Sequence, residues 1–187
     1  FFALVLPAYL LLRRRAAQNV LLLLASYFFY ACWDWRFLGL LLLSTSVDWT
    51  LANLISREPT RAGAKRWVAA SVTVNLCFLG FFKYFNFFVD SADALLAALN
   101  LAGFGRHLEV VLPVGISFYT FQSISYIVDV YRGEVEPARN PIDFALFVAF
   151  FPHMVAGPIM HSRDLLPQMQ KPRVTTRGQV KEGLWLM

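Results

Sequence analysis

Apolar residues fill this chain in long blocks separated by short charged links. From Phe1 to Leu12, Ala16 to Trp33, Phe37 to Ile55, Trp67 to Val89 and Val110 to Val130, most positions are apolar or small. Continuous runs of roughly 20 residues are what a helix needs to cross a hydrocarbon core ~30 Å thick. Barrel strands would alternate instead. A shorter piece, Ala94 to Phe104, is too short to cross and is expected at the interface. One further run, Phe144 to Ile159, is interrupted by Pro152, Gly157 and Pro158. The pattern predicts an all-α, polytopic integral membrane helix bundle: one membrane domain over 1–187, with 144–159 as a re-entrant or interfacial segment.

Composition agrees with that class. The chain is 58% hydrophobic and only 16% charged, with a mean hydropathy of +0.53, beyond the range of ordinary soluble domains. It starts with Phe1-Phe2 inside an apolar run and stops at Leu184 to Met187 as another begins. These ends are expected of an N-terminal fragment of a longer chain, with Phe1 to Leu12 the truncated end of a first span. A signal peptide fits less well, because no basic segment precedes this run and only Arg13, Arg14 and Arg15 follow it.

The net charge of +5 sorts by topology. Basic residues in short loops stay on the cytoplasmic side. Arg13 to Arg15 and, two crossings later, Arg57, Arg61, Lys65 and Arg66 belong inside, which puts the Trp33-Asp34-Trp35-Arg36 turn outside. The span from Val110 returns inward to Arg132 and Arg139. The next basic set, Arg163, Lys171, Arg173, Arg177 and Lys181, belongs inside too. The run 144–159 is thus flanked by cytoplasmic charge on both sides and is expected to enter and leave by one face. Pro152 and Pro158 each remove a backbone donor and disfavour helix in the residue before. Such backbone survives at membrane depth only when buried in protein or lining a wet cavity. Anionic lipid at the inner face accounts for the positive charge, and no nucleic-acid partner is implied.

Polar residues inside spans are costly and point to function by default. Gly115, Tyr119, Gln122, Tyr126 and Asp129 follow a 4-3-4-3 spacing, so they fall within an arc of roughly 80° on one helix face. Two readings stand: a packing seam between helices, or the wall of a cavity for a polar substrate with Asp129 near its cytoplasmic mouth. Asp48 and Asn75 both lie roughly 10 to 12 Å from the cytoplasmic ends of their spans, which permits a hydrogen bond between them. Lys83 lies about 24 Å from that side and is expected to snorkel outward beside Tyr84. No Cys/His cluster has metal-ligand spacing, so no metal is expected. His153 and His161 are able in principle to act as general bases near neutral pH. A histidine beside a proline bend also serves as a hydrogen-bonded structural residue, which leaves His153 a weak catalytic candidate.

The run "LPVGISFYTFQSISYIVDVYRG" from Leu112 to Gly133, then "RNPIDFALFVAFFPHMVAGPI" and "RDLLPQ", resembles the membrane-bound O-acyltransferase family, in its bacterial polysaccharide branch. "NVLLLLASYFFYACWDWRF" and "GFFKYFNFF" are similar to that branch's N-terminal region. The resemblance implies a multi-pass enzyme of the bacterial cytoplasmic (inner) membrane. It takes an acyl group, usually acetyl, from the cytoplasmic side and passes it to hydroxyls of an exported polysaccharide such as alginate. It also implies no bound cofactor, with acetyl-CoA or a carrier-linked acyl group as co-substrate, and other polysaccharide O-acetylation proteins as partners. Pro152, His153, Gly157 and Pro158 would then help build an inner funnel, and Tyr119, Gln122, Tyr126 and Asp129 would border the substrate tunnel. The family's central histidine is expected beyond Met187, so the catalytic residue is unknown within this sequence and the 187 residues alone are expected to be inert. D-alanyl transfer to teichoic acid by a related enzyme, and a non-enzymatic channel or transporter, are the alternatives. The second would ordinarily show inverted repeats, and none is found.

Overall fold

The computed structural model describes residues 1–99, 110–154 and 160–171 and the single positions 173, 178 and 185. Its elements are all helical: α1 (Phe2–Leu11), α2 (Arg15–Asp34), α3 (Arg36–Arg57), α4 (Arg61–Ala98), α5 (Ile116–Arg132), α6 (Pro141–Ala149), α7 (Phe151–Met154) and α8 (Ser162–Gln170). No strand occurs among the described residues. Helices α2, α3 and α4 are each long and apolar enough to cross a membrane, and the protein is an all-α membrane bundle. Of the positions singled out from sequence, Gly157, Pro158, Ile159, His107, Arg177 and Lys181 lie outside the described residues.

Two boundaries differ from the apolar pattern for local reasons. The run starting at Val110 is helical only from Ile116, because Pro113 cannot donate within a helix and Gly115 adopts the left-handed region at φ +73°. Helix α4, by contrast, continues without interruption through Asp90, Ser91 and Asp93 to Ala98. Ala94 to Ala98 therefore extend α4, and the rest of the expected interfacial piece, from 100 to 104, lies outside the described residues. None of those polar residues is a proline or glycine, the two residues that break helices. At 38 residues, α4 is about 57 Å long, far more than one bilayer crossing needs.

Successive helices run in opposite directions, and hydrogen bonds fix their levels. The guanidinium of Arg61, at the start of α4, lies 5.9 Å over the ring of Tyr131, at the end of α5. At the other end, the Asn86 amide and the Val110 backbone exchange bonds of 2.9 and 3.0 Å. Asn19, one turn into α2, donates to Asp143 in α6 at 2.7 Å. The start of α2, the end of α3, the start of α4 and the end of α5 therefore share one end of the bundle, with the start of α6 and the whole of α8. That end carries Arg13, Arg14, Arg15, Arg57, Arg61, Arg132, Arg139, Arg163, Lys171 and Arg173. Lys83 sits toward the opposite end, its ammonium 5.5 Å from the Tyr84 ring, as its depth in the sequence suggested.

From that basic end α6 descends beside α2 and α5, burying Phe144, Leu146, Phe147, Val148 and Ala149. Asn140 caps it, its side chain accepting from the Ile142 N–H at 3.0 Å, and Pro141 occupies the first turn, where no donor is needed. The helix breaks at Phe150 (ψ 106°) and restarts as α7. The Phe151 N–H freed by the break donates to Ser26 Oγ in α2 at 3.2 Å, about 10 Å deeper than Asn19. By Ser162 the chain is back beside Asp129, close to the basic end of α5, with a hydrogen bond of 2.6 Å. Asp143 and Ser162, on either side of the broken run, thus lie toward the same end of the bundle. Helix α8 then lies across that end from α5 to α2, burying Leu165, Leu166 and Met169.

Gly115 marks where the tip of this excursion meets α5: a β-carbon there would sit 3.1 Å from the Met154 carbonyl oxygen. Gly115→Ala should lower stability by about 1–2 kcal/mol, the cost of a left-handed L-residue, plus the added contact. Gly39→Ala, helical and with no atom within 4 Å, should instead stabilise by about 0.5–1 kcal/mol. Thermal unfolding of the two variants in detergent should shift in opposite directions, and parallel shifts would contradict the packing described.

Candidate functional site

The polar face of α5 is buried along its whole length. Tyr119, Gln122 and Tyr126 are each at most 1% exposed and Asp129 is 8% exposed, so this face looks into the bundle and not toward lipid. The Gln122 amide donates to the Phe147 carbonyl at 2.9 Å. The Tyr126 hydroxyl accepts from the Ala138 N–H at 2.9 Å, while its ring packs on Phe144 at 4.6 Å. Asp129 accepts from Ser162. These bonds moor α6, the loop before it and α8 to α5. Ala138 is held from both sides, since its carbonyl accepts from the Trp49 indole of α3 at 2.8 Å.

Other atoms of the same region have no partner. The hydroxyls of Tyr119 and Tyr30, Gln122 Oε1 and His153 Nδ1 are all shielded and unpaired. Tyr30, on α2, faces Tyr119, the two hydroxyls neighbouring each other without forming a hydrogen bond of ordinary geometry. His153 lies in α7, its ring edge-on to Phe150 at 5.1 Å. Pro152, beside it, faces a cavity under α1. Sequence reasoning missed Tyr30, which reads as one more aromatic in "ASYFFY"; only the position of α5 shows that its hydroxyl points inward. Buried polar groups ordinarily find partners. These four do not, and where α2, α5 and the broken run meet they mark a place in the bundle able to bind something polar.

Two further polar clusters read as structure, the one at the basic end closed and the one around Asp48 bonded through Oδ1 while Oδ2 has no partner. At the junction of α3, α4 and α5, the Ser71 hydroxyl and the Asn75 amide donate to Asp48 Oδ1 at 2.7 and 2.8 Å. The expected Asp48–Asn75 pair is present, and Ser71 completes it. At the basic end, the Asn19 amide also donates to the Met169 carbonyl at 2.9 Å, and its oxygen accepts from Arg173 at 2.7 Å. Arg15 is 3.5 Å from Asp143 Oδ2 and also bonds the Gln170 carbonyl. An amide one turn inside an otherwise apolar span was the available signal for this cluster, but its partners lie more than a hundred residues away. No group of three or more His, Cys, Asp or Glu side chains is placed to hold a metal among the described residues.

With this geometry in place, similarity to known proteins can be weighed. The chain is 45% identical to a probable alginate O-acetylase of Azotobacter vinelandii, across 83% of this chain and 31% of that protein. It is 46% identical to one from Pseudomonas syringae, across 83% and 30%. A peptidoglycan O-acetyltransferase of Helicobacter pylori is 32% identical, across 76% and 31%. The chain spans about a third of the length of these curated relatives. No protein-family model matches it, and no solved structure does.

The two kinds of polar group separate by mutation. Tyr126→Phe keeps the ring packing but strands the Ala138 N–H, which should cost about 1–3 kcal/mol. Asn19→Leu, which strips partners from a carboxylate, a carbonyl and a guanidinium at once, should cost more. Thr45→Val removes a buried hydroxyl that has no partner and should be close to neutral. Chemical or thermal unfolding that ranked Thr45→Val as the most damaging of the three would refute the division between saturated and unsaturated clusters.

Proposed function

We propose, since the chain belongs with the alginate O-acetylases of the membrane-bound O-acyltransferase family, that it forms the first part of an O-acetyltransferase acting on an exported polysaccharide. The observation that supports this reading best is the 44–46% identity to four alginate O-acetylases across most of the chain. Similarity to the peptidoglycan enzyme is lower, at 32%, which favours an alginate-like acceptor over a peptidoglycan one. The acetyl donor is a thioester, acetyl-CoA or a carrier-linked acetyl group, reaching the protein from the cytoplasmic side of the bacterial inner membrane.

In the reaction proposed, an acceptor hydroxyl oxygen attacks the acetyl carbonyl, its proton passes to a base, and the C–S bond breaks to release the thiol. Attack within a bilayer needs hydrogen-bond donors for the developing oxyanion and a shielded path, since water would hydrolyse the thioester. Tyr30, Tyr119 and Gln122 offer unsatisfied polar groups in the bundle core, and the α6–α7 break lets backbone reach that depth from the basic end. We assign these residues to the wall of the route along which donor and acceptor meet, with Tyr126 and Asp129 holding the wall together. The base is a histidine outside residues 1–187. His153, beside the break, has a structural or lining role.

Two experiments test this reading. In membranes carrying the full-length protein, acetyl transfer to polysaccharide should fall to background when the next intramembrane histidine after Met187 is replaced, and should survive His153→Ala with at most a modest loss. The reverse pattern would move the chemistry into this chain and overturn the assignment. For topology, single cysteines placed between Arg163 and Lys171 should react with a membrane-impermeant thiol reagent only after the inner face is exposed. Labelling from the outside would show that the broken run crosses the membrane.

A further inference from the structure

Helix α1 covers a cavity. It has no buried residue of its own, and beneath it lies a half-open space of about 270 Å³, near the lower end of the ~300–1,000 Å³ usual for small-ligand sites. The deep part is wholly apolar, formed by Phe2, Leu6, Leu22 and Phe151, whereas Tyr9, Gln168 and Arg173 gather at the other end. From Tyr9 to Phe2 along α1 is about 10 Å. The polar end coincides with the basic end of the bundle, so the space has the polarity and orientation of an amphiphile standing in the inner leaflet.

Charge specifies the head of that amphiphile. Arg173 donates through Nε to the Gln168 carbonyl at 3.0 Å, through Nη1 to the Tyr9 hydroxyl at 3.4 Å and through Nη2 to Asn19 Oδ1 at 2.7 Å. All three acceptors are neutral. The one carboxylate nearby, Asp143, already faces Arg15. Arg13 and Arg14, on the turn that follows α1, are exposed and make no ion pair among the described residues. The mouth therefore carries Arg173, Arg13 and Arg14 follow Tyr9 by about one turn's length of chain, and none of the three has an acid set against it among the described residues. Water is a poor occupant of the deep part, which lacks the two to four polar partners a buried water needs. We infer that the cavity is a binding site for one anionic phospholipid of the inner leaflet, with its phosphate at Arg173 and the Arg13–Arg14 turn and an acyl chain between α1 and the α6–α7 break. The lipid seals α1 to the bundle. The assignment is independent of the acyl-transfer reading.

The test is retention of lipid by the full-length protein purified in mild detergent from membranes containing both phosphatidylglycerol and phosphatidylethanolamine, read by native mass spectrometry. Wild type should keep about one phosphatidylglycerol at detergent levels that strip phosphatidylethanolamine. Leu6→Trp, which fills the apolar end, and Arg173→Gln, which removes the central head-group partner, should each reduce that retention several-fold. Leu43→Trp, on an outward face of α3, should not. Equal retention in Leu6→Trp and wild type would overturn the site, as would retention without head-group preference. A tightly held acyl thioester in place of a phospholipid would reassign the cavity to the donor. If Arg173→Gln unfolds because Asn19 loses a partner, Leu6→Trp, which touches no polar contact, decides alone.

Discussion

Asn19 is the point on which the architecture of this bundle turns. Its side-chain amide joins α2 to Asp143 of α6, to the last turn of α8 and to Arg173, segments that no local signal brings together. In a hydrocarbon setting such a group has no water to fall back on, so its bonds are made inside the protein or not at all. Fixing the start of α6 beside Asn19 also fixes how deep the chain travels next. The nine residues of α6 carry it about 13 Å, which brings the freed N–H of Phe151 level with Ser26. The break therefore falls where a hydroxyl waits on α2. Moved a turn toward the basic end, α6 would leave that N–H unmatched beside Leu22 and Leu23.

The Asp48 cluster plays a parallel part where α3, α4 and α5 meet. A carboxyl group fully buried among α3, α4 and α5 is expensive in a membrane, on insertion scales about 2.5–3.5 kcal/mol at a helix centre. It is offset by two donors from α4 converging on one oxygen. Because apolar surfaces gain little from leaving lipid for one another, such contacts set which helix faces meet more than burial does. The bundle is thus held by two polar nodes: one at mid-depth among the spans, one at the basic end for the short helices.

How much of this was legible in the sequence follows from the range of each interaction. Helical class and membrane character are properties of composition and run length, and both were readable. The Asp48–Asn75 pair was readable too, since equal depth on adjacent antiparallel spans is arithmetic. The inward aim of α5 showed in its 4-3-4-3 spacing, but its partners did not: Gln122 and Tyr126 bond backbone groups of Phe147 and Ala138, which have no side-chain signature. Asn19 and Tyr30 were illegible for a different reason. Each sits in a strongly apolar run, and whether it faces lipid or protein depends on where α6 and α5 settle. The onset of α5 at Ile116 was legible in principle from Pro113 and Gly115; hydropathy alone, which counts both as tolerable in a membrane run, carried the boundary too far.

The distinction between satisfied and unsatisfied polar atoms is what links this fold to chemistry. A bundle that only needed holding together would close its internal hydrogen bonds, as the Asn19 node does. The Tyr30 and Tyr119 hydroxyls and the acceptor Gln122 Oε1 remain open where a kinked, proline-bearing run reaches into the core, and an open polar atom in low dielectric interacts strongly with a complementary group brought to it. The same feature makes the arrangement costly in the empty state, so it depends on bonds made elsewhere, at Asn19 and at Asp48 Oδ1. In this architecture the stability supplied by those two nodes permits a few polar groups at the break to stay unpaired, which is the property that the proposed acyl-transfer route draws on.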